Sequence, residues 1–172
     1  SNSAAYTHAG STTAVESGKW YAEVYLLASN TRFGVSRGGW NSNSTATGDT
    51  LGQSADSWGV YSGGGTGSTG YYHDGGYDED TSQDGSAGDI YGLALDTTSG
   101  SEELKVYKNN TLIKTWDVSG SSGDMWQFAA SPYDDDGTIW NFGQDATFAG
   151  EDTGSAGPYQ DSNSKGEFYY DP

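Results

Sequence analysis

Hydrophobic and polar residues alternate along several short segments of this chain, with the period of a β-strand. In the segment 19–27, Trp20, Ala22, Val24 and Leu26 fall at every second position. Successive side chains of a strand point to opposite faces, so these four are expected to share one buried face. Over the whole chain, the pattern predicts a set of largely buried residues: Trp20, Val24, Leu93, Leu95, Leu104, Val106, Trp140 and Phe142.

Turn-forming residues separate these segments at short intervals. Strands are predicted at 19–27, 32–36, 58–61, 71–73, 90–96, 103–108, 111–113, 126–130 and 138–142, and the stretches 38–50, 62–70 and 74–89 are predicted loops. Asn109 and Asn110 are expected to form a two-residue hairpin turn, because asparagine tolerates positive φ. No segment has sustained helical periodicity. The pattern therefore predicts an all-β fold, a sandwich of two antiparallel sheets.

The composition indicates a folded chain despite its low hydrophobic content. Only 33% of the 172 residues are hydrophobic, but the chain holds 6 Trp and 13 Tyr. Each large aromatic ring can bury about 150–250 Å², so few residues can fill a thin core. The 27 glycines suit the tight turns that join many short strands. A single domain over residues 1–172 is expected.

Acidic residues outnumber basic ones 24 to 7, which gives a formal net charge of −17. Such a surface repels phosphate backbones and anionic membrane surfaces, so we expect neither nucleic acid nor a membrane as a partner. No apolar run approaches the ~20 residues that a membrane span needs. The absence of cysteine excludes disulfides, thiol catalysis and Cys-based zinc sites.

Five sequence motifs occur in a recognisable order. They are GKWYAEV at 18–24, RFGVS at 32–36, LG at 51–52 leading to SWG at 57–59, GDIYGLALD at 88–96 followed by LKVYKNN at 104–110, and NFGQ at 141–144. In this order they resemble the SPRY domain, a member of the concanavalin A-like sandwich folds. The matched core covers about 18–148. The resemblance implies a jelly-roll β-sandwich that binds peptides or protein epitopes through loops at one edge.

The C-terminal sequence narrows the resemblance. NFGQ at 141–144 and GEFYYDP at 166–172 look like SPRY-like domains carried by structural proteins of tailed bacteriophages. Three aromatics beside the last proline are interpreted as the edge of an element, so we expect a domain excised from a longer chain. The resemblance implies a virion or extracellular location, in a tail, a fibre or a surface decoration.

Catalytic candidates are few. His8 and His73 are each expected to be solvated loop histidines, and no nucleophile-elbow motif accompanies them. The acidic runs, at 78–80, 102–103, 134–136 and 145–152, are expected in loops and at strand ends. Glycosidases of this fold class instead carry carboxylates that alternate along one strand. A glycosidase is therefore the least favoured alternative. Calcium binding at the acidic loops stays open, and no cofactor or metal site is assigned.

Aromatic residues among Gly, Ser and Asn carry the binding hypothesis. Tyrosine and tryptophan offer a large contact area at a low entropy cost, while short polar side chains adapt their hydrogen bonds. Ligand binding is assigned to residues from 38–50, 70–74 and 131–137, namely Trp40, Asn41, Asn43, Tyr72, His73, Asp74, Tyr133 and Asp134. The predicted function is a non-catalytic recognition or structural module that binds a protein epitope, a glycan or another virion subunit. A secreted or cell-surface lectin is the alternative.

Overall fold

The computed structural model describes residues 8–37, 50–63, 69–73, 75–80, 84–98, 100, 102–119, 124–133, 137–152, 154 and 157–172. This part of the chain contains no helix, and so no helix that could span a membrane. Its strands are β1 (Ala9–Gly10), β2 (Lys19–Leu26), β3 (Thr31–Arg37), β4 (Ser57–Tyr61), β5 (Thr69–His73), β6 (Gly76–Asp80), β7 (Ile90–Asp96), β8 (Glu103–Lys108), β9 (Thr111–Asp117), β10 (Trp126–Pro132), β11 (Thr138–Asn141), β12 (Tyr159–Gln160) and β13 (Glu167–Phe168).

The strands fall into two compact units. The first unit, formed from 1–16, 28–86 and 123–137, holds a six-stranded antiparallel sheet in the order β1-β10-β3-β4-β5-β6. On one face of this sheet Phe33 and Val35 are fully buried. Trp58 and Trp126 join them with ring centroids 5.2 Å apart, at a distance typical of favourable aromatic pairs. Bulky rings on this face therefore fill the core, as the composition indicated.

The second unit, formed from 17–27, 87–122 and 138–172, holds a five-stranded antiparallel sheet in the order β11-β2-β7-β8-β9. The short strands β12 and β13 pair separately. The predicted alternation is confirmed in the central strands, since Val24, Leu93, Leu95, Leu104 and Val106 are all buried. The all-β fold with two main antiparallel sheets is likewise confirmed.

The two strongest motifs of the sequence meet at one hairpin. Asn109 and Asn110 form the predicted turn, with positive φ values of 46° and 66°. The side chain of Asn109 donates to a carboxylate oxygen of Asp89 at 2.7 Å and accepts the N–H of Ile90 at 3.0 Å. Lys108 adds an ion pair to Asp89 at 3.3 Å. Residues far apart in the sequence thus fix the turn against the start of β7.

Three predicted core aromatics are not core residues. Trp20 is 42% exposed, because it lies at the start of β2, where its indole N–H reaches the Ser17 carbonyl at 3.1 Å. Phe142 is 48% exposed, one residue beyond the end of the edge strand β11. It stacks on the half-buried Trp140 with a centroid distance of 5.6 Å and an interplanar angle of 12°. The period of two was right, but position at a strand end or sheet edge decided the exposure.

The strand β6 contradicts the prediction of a loop at 74–89. Its sequence, GYDED, is poor in β-forming residues, yet it pairs with all five residues of β5. Asp78, Glu79 and Asp80 therefore lie on a strand rather than in a loop. β6 is the last strand in its sheet order, a position where charged side chains discourage pairing with other chains. The short strand β1, which pairs with β10, and the pair formed by β12 and β13 were also not predicted.

Glu23 is a buried charged residue of the second unit, on the face of β2 opposite to Val24. It is completely buried, although the alternation predicted burial only for the face that carries Ala22 and Val24. Residues of the C-terminal segment cover that face: Phe168 packs on Tyr21 at 5.2 Å, and Phe148 packs on Tyr25 at 5.4 Å. Both faces of β2 are therefore buried, and only one of them was anticipated.

Candidate functional site

A cluster of aromatic and polar residues lies on the face of the six-stranded sheet opposite to Phe33. Direct cross-strand pairing places Arg32 of β3 opposite Tyr61 of β4, and Tyr72 of β5 opposite Tyr77 of β6. Residues opposite each other in an antiparallel pair share a face. We call this surface the Arg32 face and define it by Asn30, Arg32, Tyr61, Tyr72, Tyr77 and Tyr133.

Arg32 is the centre of the Arg32 face. Its side chain is buried, with the guanidinium carbon 4.0 Å from the ring centroid of Tyr72 and 5.4 Å from that of Tyr61. Its guanidinium also donates a hydrogen bond to the hydroxyl of Thr50. A guanidinium stacked on aromatic faces holds those rings by cation–π attraction, which strengthens on desolvation. Arg32 therefore fixes the orientation of Tyr72 from below.

Tyr77 forms the outer layer of this stack. Its ring lies 4.6 Å from the ring of Tyr72 and is 48% exposed. A β-carbon added at Gly70 would lie 2.4 Å from the Tyr77 ring and 2.8 Å from the Tyr72 ring, so both rings occupy the space that glycine leaves. Partial burial, together with the neighbouring Tyr72 and Glu79, raises the pKa of Tyr77. Its hydroxyl is therefore a neutral donor and acceptor at the rim of the stack.

Asn30 ties the other end of the Arg32 face together. Its side-chain oxygen accepts the hydroxyl of Tyr61 at 2.5 Å, and its backbone carbonyl accepts the N–H of Tyr133 at 3.2 Å. The segment that begins at Tyr133 is thus anchored beside Tyr61. Two predicted binding residues, Tyr72 and Tyr133, consequently lie on one face of one sheet.

The turn that begins at Thr50 packs on the same face. The N–H of Leu51 donates to the hydroxyl of Ser131 at 3.3 Å, and the buried side chain of Leu51 lies over Gly59. Ser131 also pairs with His8 at 2.9 Å, an arrangement of the described residues that has the residue types of a nucleophile and a base. Ser131 is completely buried and already accepts the Leu51 N–H, so this pair links β10 to the N-terminal segment and is not exposed to a substrate.

His73 ends the strand predicted at 71–73, which the structure confirms within β5, although it was also expected to be a solvated loop histidine. Its imidazole lies 3.4 Å from the carboxylate of Asp78 on the neighbouring strand. Because His73 follows Tyr72 directly, its side chain lies on the opposite face of the sheet from the Arg32 face. His73 therefore does not join Tyr72 in one site, and it helps instead to hold the edge strand β6.

The remaining predicted binding residues, Trp40, Asn41, Asn43, Asp74 and Asp134, lie outside the described residues. Of the three predicted segments, described parts of each reach the Arg32 face: Thr50, Tyr72 and Tyr133. Sequence reasoning missed Arg32 and Asn30. An arginine at an alternating position of a strand, in a chain with so few bases, was the available signal. The role of these residues in binding stays a prediction.

Aspartate side chains in the acidic loops accept hydrogen bonds from the backbone of the same loops. Within the described part of the chain, no group of three or more His, Asp or Glu could hold a metal ion. One oxygen of Asp145 accepts the N–H and the hydroxyl of Thr147, and the other accepts the N–H of Ala149. Asp161 accepts the N–H groups of Asn163 and Lys165 in the same way. These hydrogen bonds lower the pKa of both carboxyls, as expected for acids that cap turns.

Comparison with solved structures identifies the fold as that of a SPRY domain, a two-sheet antiparallel β-sandwich. The PSpry domain of TRIM65 superposes with a TM-score of 0.56 at 19% identity, over 74% of this chain and 68% of that one. The SPRY domain of human HERC1 superposes with a TM-score of 0.54 at 20% identity, over 76% of this chain and 77% of that one. The structure of stonustoxin superposes with a TM-score of 0.54 at 19% identity, over 74% of this chain and 21% of that chain. No protein-family model and no curated protein matches the sequence.

Proposed function

We propose that this chain is a non-catalytic recognition module that binds a protein partner through the Arg32 face. The observation that carries this proposal is the stack of Arg32, Tyr72 and Tyr77, which ends in a half-exposed tyrosine. Solved structures of the same fold are SPRY domains, and such domains serve in general as protein-interaction modules. The partner is a protein epitope in this proposal.

The geometry of the stack suits recognition because its rings are ordered before a ligand arrives. A side chain that is already held loses little conformational entropy on binding, so more of its contact energy contributes to affinity. Tyrosine and arginine are the residue types enriched at binding hot spots. Tyr77 combines an exposed ring face with a neutral hydroxyl, which serves both apolar contact and hydrogen bonding.

The biological setting is proposed from sequence alone. The resemblance of the motifs at 141–144 and 166–172 to domains of tailed bacteriophages supports a place on a virion or in the extracellular space. There the partner would be a host surface protein or another virion subunit. A sugar ring could also stack on Tyr77, so a glycan is the competing ligand that the experiment must separate.

The test is selection from a displayed peptide library, followed by titration of selected peptides against single variants. Binding should weaken about tenfold or more in Tyr77→Ala, the loss expected for a hot-spot residue. Tyr159→Ala is the matched control, because Tyr159 is 44% exposed and lies in the other unit. Melting curves of both variants should match the parent chain.

Two outcomes would contradict the proposal. Peptides that bind Tyr77→Ala as tightly as the parent chain would move recognition away from the Arg32 face. A glycan array that gives a Tyr77-dependent signal, with no peptide selected, would make this chain a lectin instead.

A further inference from the structure

One edge of the strand β11 has no neighbouring strand in the part of the chain that the structure describes. β11 is the last strand in the order of the five-stranded sheet, and its other edge pairs with β2. We call the side away from β2 the outer edge of β11. An edge strand offers backbone N–H and C=O groups to other chains, and charged side chains discourage such pairing. β6, at the end of the other sheet, carries three acids, whereas β11 has the uncharged sequence TIWN.

The backbone groups of Trp140 point towards the outer edge. On β2, the N–H of Leu26 donates to the carbonyl of Asp89 at 3.0 Å, on the side of β7. Backbone groups of successive residues alternate between the two edges of a strand, so those of Val24 also point to β7. Trp140 is the direct partner of Val24 and therefore pairs with it without backbone hydrogen bonds. The N–H and the carbonyl of Trp140 consequently face away from β2.

The side chain of Gln144 occupies the outer edge. Its amide nitrogen donates to the carbonyl of Trp140 at 2.6 Å, and its amide oxygen accepts the N–H of Phe142 at 2.6 Å. The backbone of a neighbouring strand would offer the same two groups, a donor for the carbonyl and an acceptor for the N–H. Gln144 thus takes the place of a peptide group. Both hydrogen bonds are exposed to solvent, so a peptide can replace this side chain.

Two aromatic rings stand beside the outer edge. Thr138, Trp140 and Phe142 alternate along the chain and so share one face. The indole N–H of Trp140 donates to the hydroxyl of Thr138 at 3.0 Å, and the ring of Phe142 stacks on that of Trp140. Phe142 is half-exposed and Trp140 is half-buried. Side chains of an added strand would lie against these rings at every second position, which suits β-branched apolar residues.

We propose that the outer edge of β11 binds an extended peptide strand of a partner protein, whose backbone displaces the side chain of Gln144. In strand addition, main-chain hydrogen bonds give affinity and contacts to alternate side chains give specificity. A second copy of this chain fits less well, because each copy carries a net charge of −17. The same charge favours a partner strand with basic residues at its ends. The outer edge lies in the unit without the Arg32 face, so this inference goes beyond the recognition proposed there.

The probe is the peptide acetyl-KTVTVTK-amide, titrated into the ¹⁵N-labelled chain at constant ionic strength. The Phe142 amide and the Trp140 indole N–H should shift in a saturable way. Gln144→Ala opens the outer edge, so it should bind the peptide about fivefold more tightly, the gain expected when one net hydrogen bond need not be broken. The matched control is Gln160→Ala, which removes another exposed glutamine side chain of the same unit and should bind like the parent chain.

Removal of the outer ring tests the contact with side chains. Phe142→Ala should weaken binding about threefold, within the range of a cross-strand aromatic pair. Tyr159→Ala is its control, since Tyr159 is similarly exposed in the same unit, and the melting curves of both variants should match the parent chain. The acidic peptide acetyl-ETVTVTE-amide should bind more weakly than the basic one. Tyr77→Ala should bind the basic peptide like the parent chain, which separates this test from that of the Arg32 face.

Methylated peptides test for backbone pairing. The N–H groups of alternate residues in a strand point to opposite edges. N-methylation of the two valines and N-methylation of the three threonines therefore block opposite edges of the peptide, and one of these two peptides should lose binding while the other keeps it. The proposal fails if both methylated peptides bind or both do not, or if Gln144→Ala binds no more tightly than Gln160→Ala. It fails equally if the acidic peptide binds as well as the basic one, or if sedimentation shows that Gln144→Ala dimerises without peptide.

Discussion

The carboxylate of Glu23 accepts the backbone N–H of Tyr169 at 2.8 Å, which joins β2 to a residue 146 positions later in the chain. Its other oxygen accepts the N–H of Tyr170 at 2.8 Å, and the side chain of Asn141 donates to the oxygen that binds Tyr169, at 3.0 Å. The carboxylate is completely buried. Such a group is tolerated only when its oxygens are hydrogen-bonded, so Glu23 holds the C-terminal segment against the sheet.

Replacing Glu23 with glutamine should destabilise the second unit. Glutamine keeps the size of the side chain, but its amide nitrogen would face an N–H donor where the carboxylate offered an acceptor. We expect the free energy of unfolding to fall by about 1–3 kcal/mol, the usual penalty for an unsatisfied buried donor. Urea denaturation measures this change. The exposed Glu151→Gln is the control, and equal stability of the two variants would show that the hydrogen bonds to the Glu23 carboxylate contribute nothing to the stability.

The same residue predicts a pH dependence. Burial raises the pKa of Glu23 above its ordinary value of 4.5, against the opposing effect of its hydrogen bonds. The folded chain therefore holds this proton to higher pH than the unfolded chain does. The stability from this group is full below the unfolded pKa and is lost as the pH rises through the folded pKa. The stability difference between the parent chain and Glu23→Gln should accordingly shrink as the pH rises above 4.5.

A variant whose contribution to stability depends on pH in the opposite direction controls this measurement. Hydrogen bonds from Thr147 and Ala149 lower the pKa of Asp145, so its contribution is present above its unfolded pKa and is lost as the pH falls through the folded pKa. The difference between the parent chain and Asp145→Asn should therefore shrink towards acid. Urea denaturation at steps of pH provides both curves. Curves with the same slope would contradict the assignment of Glu23.

A methyl group at Gly70 should disturb the Arg32 face without unfolding the chain. The added carbon would overlap the outer ends of the Tyr77 and Tyr72 rings, and side-chain ends can move. We expect a loss of about 1–3 kcal/mol in stability, as for other overpacked sites, with altered tyrosine signals in NMR spectra and weaker binding of selected peptides. Gly10→Ala is the control, since its added carbon makes only an ordinary contact with Gln127 at 3.9 Å. Unchanged Tyr72 and Tyr77 signals in Gly70→Ala would refute the packing of the stack.

The sequence predicted the strands best where both pattern and propensity agreed. The bounds of β7 and β8 match the prediction, because Leu93, Leu95, Leu104 and Val106 alternate in chain segments rich in β-forming residues. The strand β6 was not predicted, because its pairing with β5 outweighs the low β-propensity of its three acidic residues. The alternation also cannot show that a polar residue such as Glu23 is covered by a segment more than a hundred residues away.

The candidate site was predictable only in part. Tyr72 and Tyr133 were selected because they are aromatic residues in segments rich in Gly, Ser and Asn. Pairing between strands places Tyr77 beside Tyr72, and Asn30 beside Tyr133. Arg32 was missed because its role depends on the rings above it, and a one-dimensional pattern does not show such stacking. His73 was placed in the same site as Tyr72, although consecutive residues of a strand face opposite ways. A stricter use of the period would have separated them.

The excess of acids predicts that salt stabilises the fold. Acidic residues exceed basic ones by 17, and in the described part of the chain six of the seven basic side chains already contact a carboxylate or an aromatic ring, so most carboxylates have no basic residue to balance them. Repulsion among exposed carboxylates is screened over about 10 Å at 0.1 M salt, and over shorter distances as the concentration rises. The melting temperature should therefore increase from low to high sodium chloride. Tetramethylammonium chloride, whose cation coordinates carboxylates poorly, should give a similar rise if screening is the cause. A flat or falling series in sodium chloride would refute the prediction, and a rise confined to sodium would assign the effect to bound cations.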